Sequence, residues 1–215
     1  MRRLSKYAAI LVLIAYSHWA VAEEEAQAPD ESVTRLIGLL QGINNLATPI
    51  SQTVVSSDGD VLQQVKGSLT VARPGKFRIV TEDPLPQVLV SDGSKLWNYD
   101  PDLEQLIISR LNQDIGEVPI LILSGDEDQI SRQFNVEHFE TEDTVEFVLI
   151  PLEQTSLFSR IRLSFVAAVP QKITIIDGFQ QQTDISFDQV EMNQPLQADV
   201  FSFTAPEGAD VVDDT

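Results

Sequence analysis

The chain has 215 residues, 33 Asp and Glu against 14 Lys and Arg, a formal net charge of −19, and no cysteine. The missing cysteines exclude disulfides, thiolate metal sites and cysteine nucleophiles, and two histidines leave little for metal or acid–base chemistry. The acidity argues against a nucleic-acid binder, which needs Lys and Arg clusters on phosphates, and repels the folded chain from anionic head groups.

The first segment carries Arg2, Arg3 and Lys6, then an apolar run from Tyr7 to Tyr16, then Ala20-Val21-Ala22 ahead of Glu23-Glu24-Glu25. A cationic start, a short apolar stretch and a small-x-small site make residues 1–22 a secretory signal peptide, with cleavage expected after Ala22. The run is short for a membrane anchor. Cleavage removes three cations and His18, so the exported chain is more acidic still and keeps His138 alone. With no cysteine after the run, the exported chain is expected to be soluble rather than lipid-anchored. Residues 23–29 form a flexible acidic leader, and 30–215 a single domain, because no linker or repeat divides them.

Asp30 or Ser32 can cap a helix whose apolar positions Val33, Leu36, Ile37, Leu40 and Ile43 fall on one stripe, with Thr34, Arg35 and Gln41 facing away. From about Ile50 the period becomes two. Leu69 and Val71, Val145, Phe147 and Leu149, Ile161, Leu163 and Phe165, Ile185 and Phe187, and Phe201 and Phe203 each alternate with polar neighbours. Asp58-Gly59, Asp92-Gly93 and Asp177-Gly178 are hairpin signals, so the strands are expected to be antiparallel, with one apolar and one wet face. Val118 to Leu123 breaks the alternation. It is either a buried strand or a short apolar helix or loop lying across a sheet, and Asp126 can cap a further helical piece through Ile130.

Counting faces gives the architecture. A mainly β chain with about nine to eleven strands presents one large apolar face, and one helix plus one short segment cannot cover it flat. The sheet must curl, partly or fully, into a barrel around its own apolar side chains. Whether its interior is filled or hollow does not follow from periodicity.

Chemistry is sparse. His138 lies among acids and is expected on the solvent face; no nucleophile elbow, HExxH, P-loop or dinucleotide fingerprint occurs, so no enzyme is expected. Asp58, Asp60, Asp126, Glu127 and Asp128 lack calcium-loop spacing and are expected to be solvated turns, as Asp210, Asp213 and Asp214 are a solvated tail. No cofactor or metal is expected. Arg73 stands out: counting in twos from Leu69 and Val71 puts it on the apolar face. There its donors need acceptors, such as unpaired carbonyls at a helix end; alternatively Pro74 breaks the strand and turns Arg73 to water.

Arg73-Pro74-Gly75-Lys76-Phe77, the stretch Val90-Ser91-Asp92-Gly93-Ser94-Lys95-Leu96-Trp97-Asn98-Tyr99-Asp100-Pro101-Asp102-Leu103-Glu104-Gln105, and Phe201-Ser202-Phe203-Thr204-Ala205-Pro206-Glu207-Gly208 resemble the LolA family of periplasmic outer-membrane lipoprotein carriers. The resemblance runs over essentially the whole exported chain. It implies an unclosed antiparallel barrel with a helical lid over an apolar cavity. Leu36, Leu40, Ile43, Leu69, Val71, Phe77, Ile79, Ile120, Leu121, Ile122 and Leu123 are the residues expected to line it, and Arg73 to latch the lid. It also implies a periplasmic monomer that takes acylated lipoproteins from an inner-membrane ABC transporter and delivers them to an outer-membrane receptor lipoprotein. A carrier of free lipid or another amphiphile, and a module that senses mislocalised lipoproteins, are alternatives on the same cavity.

Overall fold

The computed structural model describes residues 31–111, 118–124, 127–153 and 156–215. The expected signal peptide over 1–22 and its cleavage point, the leader over 23–29, and the candidate caps Asp30 and Asp126 lie outside the described residues.

Helix α1 (Glu31–Gln41) buries Val33, Leu36 and Leu40 and exposes Thr34, Arg35 and Gln41. With Gly38 in its middle and only 11 residues, it is held by docking rather than by propensity. Ser32 does not cap it. It sits inside the first turn, where its hydroxyl serves another partner described below. Residues Pro119–Leu123 form a 3₁₀ turn with Ile120 to Leu123 all buried, so the apolar run is a short helix on the sheet rather than a strand. Helix α2 (Glu127–Gln133) follows and buries Ile130.

The first wing of the sheet comprises β1 (Asn45–Val55), β2 (Val61–Ala72), β3 (Lys76–Thr81), β4 (Gln87–Asp92), β5 (Lys95–Asp100) and β6 (Gln105–Arg110). The second comprises β7 (Phe134–Glu140), β8 (Thr144–Pro151), β9 (Phe158–Val166), β10 (Val169–Asp177) and β11 (Gln182–Phe187). With β12 (Glu191–Met192) and β13 (Asp210–Asp213) they make a 13-stranded sheet, ordered β13-β6-β5-β4-β3-β2-β1-β11-β10-β9-β8-β7, with β12 beside β1. The count exceeds the expected nine to eleven because β12 and β13 have two and four residues, too few to show a period. The three Asp-Gly pairs do turn the chain, between β1 and β2, β4 and β5, and β10 and β11.

Two expectations at the C-terminus fail. Phe201 and Phe203 are not in a strand; their segment crosses the outer side of the first wing, where Phe203 stacks on Tyr99 at 5.5 Å and Arg78 Nη1 donates to Ser202 O at 3.4 Å. Aromatics spaced by two also suit a strap that dips twice onto an apolar surface. The acidic end is no free tail either. Asp210 to Asp213 pair with β6, and in parallel, because this strand arrives by a long passage instead of a tight turn. Backbone pairing leaves their side chains in water, so acidic composition is no obstacle to a strand there.

One core joins both wings. Leu69, Val71 and Phe77 from the first and Phe147, Leu163 and Phe165 from the second belong to a single buried cluster with Leu36 and Leu40 of α1. Side chains so far apart in strand order meet only if the sheet curls. At Gly67, β2 runs so close to β3 that a Cβ would collide with the carbonyl oxygen of Val80. The sheet does not close, since among the described residues β13 and β7 end the order unpaired to each other.

Candidate functional site

The concave face of the curled sheet is apolar, and α1 with the 3₁₀ turn packs on it. The expected lining residues come together there. Leu36, Leu40, Ile43, Leu69, Val71, Phe77 and Ile120 to Leu123 are 0–8% exposed and form one cluster. In this arrangement the helical elements fill the wall they cover. Ile79 differs, being half-buried beside the cluster and lining a groove of about 400 Å³. The lining of the groove is mixed, with Val65, Ile79 and Leu89 apolar and Gln52, Gln87 and Asp100 polar.

Pro74 does not turn Arg73 out to water. The strand parity holds, and the guanidinium reaches the C-terminal end of α1: Nη2 donates to Leu40 O and Nε to Ile43 O, each at 3.0 Å, and the Arg73 backbone N–H donates to Asn44 O at 3.0 Å. The last carbonyls of a helix lack partners within it and carry its partial negative charge, so a planar cation with several donors fits them on both counts. Two residues on, the Gly75 N–H donates to Ser124 O at 2.7 Å, the end of the 3₁₀ turn. Both covering elements therefore hang on one three-residue turn, α1 by the Arg73 side chain and the 3₁₀ turn by the Gly75 backbone.

That turn is itself gripped by the other recognisable motif. Ser91, fully buried, donates from Oγ to Gly75 O at 3.1 Å and accepts from the Gly93 N–H at 3.0 Å. Gly93, at φ +95°, comes so close that a Cβ would stand 3.0 Å from Pro74 O, which only glycine allows. Asp92 Oδ1 accepts from the Ser94 hydroxyl and the Ser94 and Lys95 N–H groups, each at 2.8 Å. Partial burial pushes its carboxyl up, but these bonds and nearby Lys76 outweigh it and hold Asp92 below the usual aspartate value, charged and fixed.

Three further contacts on α1 had no signal in the sequence. Asn193, at φ +59°, donates from Nδ2 to Gly42 O at 2.8 Å and accepts from the Asn44 N–H at 2.8 Å. At the other end of α1, Ser32 Oγ and His138 Nδ1 share a hydrogen bond of 2.9 Å, and Arg35 pairs with Glu140 at 2.8 Å. His138 is thus not a solvent-face residue: it follows Phe134 and Val136 on the inner face of β7 and stacks on Phe147 at 5.9 Å. Glu137 misleads here, because in a strand it belongs to the opposite face, while Glu140 shares the face of His138 and is paired with Arg35. Among the described residues no group of three or more His, Asp or Glu side chains could hold a metal ion.

The sheet is thus an open half-barrel whose apolar concave face is covered by α1 and the 3₁₀ turn, both tied to the turn from Arg73 to Gly75. Residues 41–204 match the family described as "Outer membrane lipoprotein carrier protein LolA", and the chain belongs to that family. It is 42% identical over 193 residues to the outer-membrane lipoprotein carrier protein of Azotobacter vinelandii, spanning 90% of this chain and 93% of that one. The carrier of Pseudomonas paraeruginosa is 41% identical over 194 residues, with the same two coverages. Among solved structures, an uncharacterised conserved protein of Thermus thermophilus shares the fold, with a TM-score of 0.54, 13% identity, and coverage of 85% of this chain and 99% of that one.

Proposed function

We propose that this protein is a periplasmic chaperone that holds the acyl chains of lipoproteins against its concave face while they cross between membranes. Family membership supports lipoprotein cargo, and the proposal adds loading from an inner-membrane ABC transporter, delivery to an outer-membrane receptor lipoprotein, and action as a monomer. The observation that carries the reading is the single turn, Arg73 to Gly75, on which both covering elements hang over an apolar wall.

The energetics suit a carrier. An acyl chain loses about 0.8 kcal/mol for each CH₂ exposed to water, so a multiply acylated protein cannot cross an aqueous gap uncovered. In the carrier, acyl chains replace Leu36 and Leu40 on the wall, apolar contact for apolar contact, and the net cost of opening is the polar contacts that hold α1, the Arg73 latch first and the Ser32–His138 and exposed Arg35–Glu140 contacts after it. Hydrogen bonds to a charged group contribute about 1.5–3 kcal/mol, which is enough to favour closure after release without making loading prohibitive. Because cargo and latch exclude one another, the latch weakens cargo binding and assists delivery.

Arg73→Leu should therefore fold, take up acylated lipoprotein and hold it at least about tenfold more tightly, with delivery slowed in proportion. Release of lipoprotein from inner-membrane vesicles, scored with and without the purified receptor, measures this. Normal delivery by the variant would contradict the reading. Native mass spectrometry of the purified protein showing free phospholipid in place of acylated lipoprotein would assign a carrier of free amphiphiles. A stable signalling complex without transfer would assign a sensor.

A further inference from the structure

The strand polarity puts five hairpin connections, β1–β2, β3–β4, β5–β6, β8–β9 and β10–β11, at the end of the sheet away from the Arg73 turn. Each carries or adjoins an exposed large apolar side chain: Leu62, Leu85, Leu103, Leu157 and Phe179, with Leu103 at 68%, Leu157 at 70% and Phe179 at 90% exposure. Singly exposed leucines are ordinary, but one on every connection of the same end is not. Several are held in place. Asp100 Oδ1 accepts from the Leu103 N–H at 3.1 Å, Asp177 Oδ1 from the Phe179 N–H at 2.8 Å, and the Thr81 hydroxyl donates to Leu85 O at 2.7 Å. Fixed apolar tips lose little conformational freedom on contact.

The connections at this end carry charge of one sign, and Arg132 and Arg160 are the cations beside them. The connecting residues 56–60, 82–86, 101–104, 152–157 and 178–181 contain seven Asp or Glu and no Lys or Arg, whereas Arg73, Lys76, Lys95 and Arg110 lie at the opposite end. Such a distribution orients the molecule in an external field. An anionic bilayer would repel the acidic end, while a basic surface would draw it in and leave the apolar tips to make the contact.

We propose that this acidic, apolar-tipped end is a docking surface for a protein presenting Lys and Arg around shallow apolar depressions, at one of the membranes the carrier visits. The inference rests on the carrier reading, and its test does not need cargo.

The purified protein, without cargo, is floated with inner-membrane vesicles, outer-membrane vesicles, protease-shaved samples of each, and protein-free liposomes of phosphatidylethanolamine and phosphatidylglycerol. The expected result is salt-sensitive association with one kind of native vesicle, abolished by shaving and absent from liposomes. It should fall about tenfold in Leu103→Ser/Phe179→Ser and in Asp102→Lys/Glu104→Lys, all exposed positions, with thermal unfolding unchanged. Association with no native vesicle, association of both variants equal to that of the unaltered protein, or equal association with liposomes would overturn the proposal, the last assigning a lipid surface instead. Failure of the carrier reading shows separately, as no acylated lipoprotein held in the soluble fraction.

Discussion

The covering helix is governed at its C-terminal end by two side chains of unequal strength. Arg73 supplies charged donors to Leu40 O and Ile43 O, and Asn193 supplies a neutral amide to Gly42 O. Neutral bonds contribute about 0.5–1.5 kcal/mol net, and an exposed one lies at the low end of that range. Asn193→Gly, which keeps the positive φ without strain, should then tighten equilibrium binding of an acylated peptide about threefold, in the same direction as Arg73→Leu but less. Unchanged binding would show that Asn193 only shapes the loop. Parity with Leu69 and Val71 offers the face of Arg73 in the sequence, but Pro74 leaves a turn to water equally open, and the contacts to Leu40 O and Ile43 O decide between them. Asn193 and Ser91 are not legible there, because a polar residue's partner across 151 or 16 positions leaves no periodic trace.

At the scale of elements, the junction of β10 and β11 is tied on its outer face by a polar network. Asp184 accepts from the Thr174 hydroxyl at 2.6 Å and Gln182 Nε2 at 2.9 Å, and pairs with Lys172 Nζ at 3.0 Å. Burial pushes the Asp184 carboxyl up, but Thr174, Lys172 and Gln182 together bring it below its ordinary value of 3.8. A carboxyl lowered by folding stabilises the native state above its unfolded value, and that contribution is lost as pH falls through the folded value. Asp184→Asn should thus lower Tm at pH 7, and its difference from the unaltered protein should shrink once the pH drops below about 4. A difference independent of pH would assign the effect to packing. Strands and Asp-Gly turns are legible here because burial imposes alternation and tight turns impose residue types. The strand Asp210–Asp213 and the strap through Phe203 are not, since an edge strand in water needs no alternation.

For the whole molecule, the curl is forced by the mismatch between one large apolar face and the few helical residues available to cover it. The occupant of the hollow is not forced by sequence: packed leucines and acyl chains are equivalent to a greasy wall. Geometry shows how the two could exchange. Helix α1 joins the sheet through residues 42–44 into β1, so the end that travels furthest is the other one, where Ser32 meets His138 and Arg35 meets Glu140 on β7, and the same swing draws Leu40 O off Arg73. Uncovering Leu69, Val71 and Phe77 requires that end to part from β7.

The chain has no cysteine, so two engineered ones can be bridged to hold that end shut. In Ser32→Cys/His138→Cys joined by a short bis-methanethiosulfonate linker, which reduction removes, uptake of acylated lipoprotein from inner-membrane vesicles is measured linked and after reduction. Uptake abolished by the linker and restored by reduction is the expected result. Equal uptake in both states would show that acyl chains enter without displacing α1, and would contradict the account.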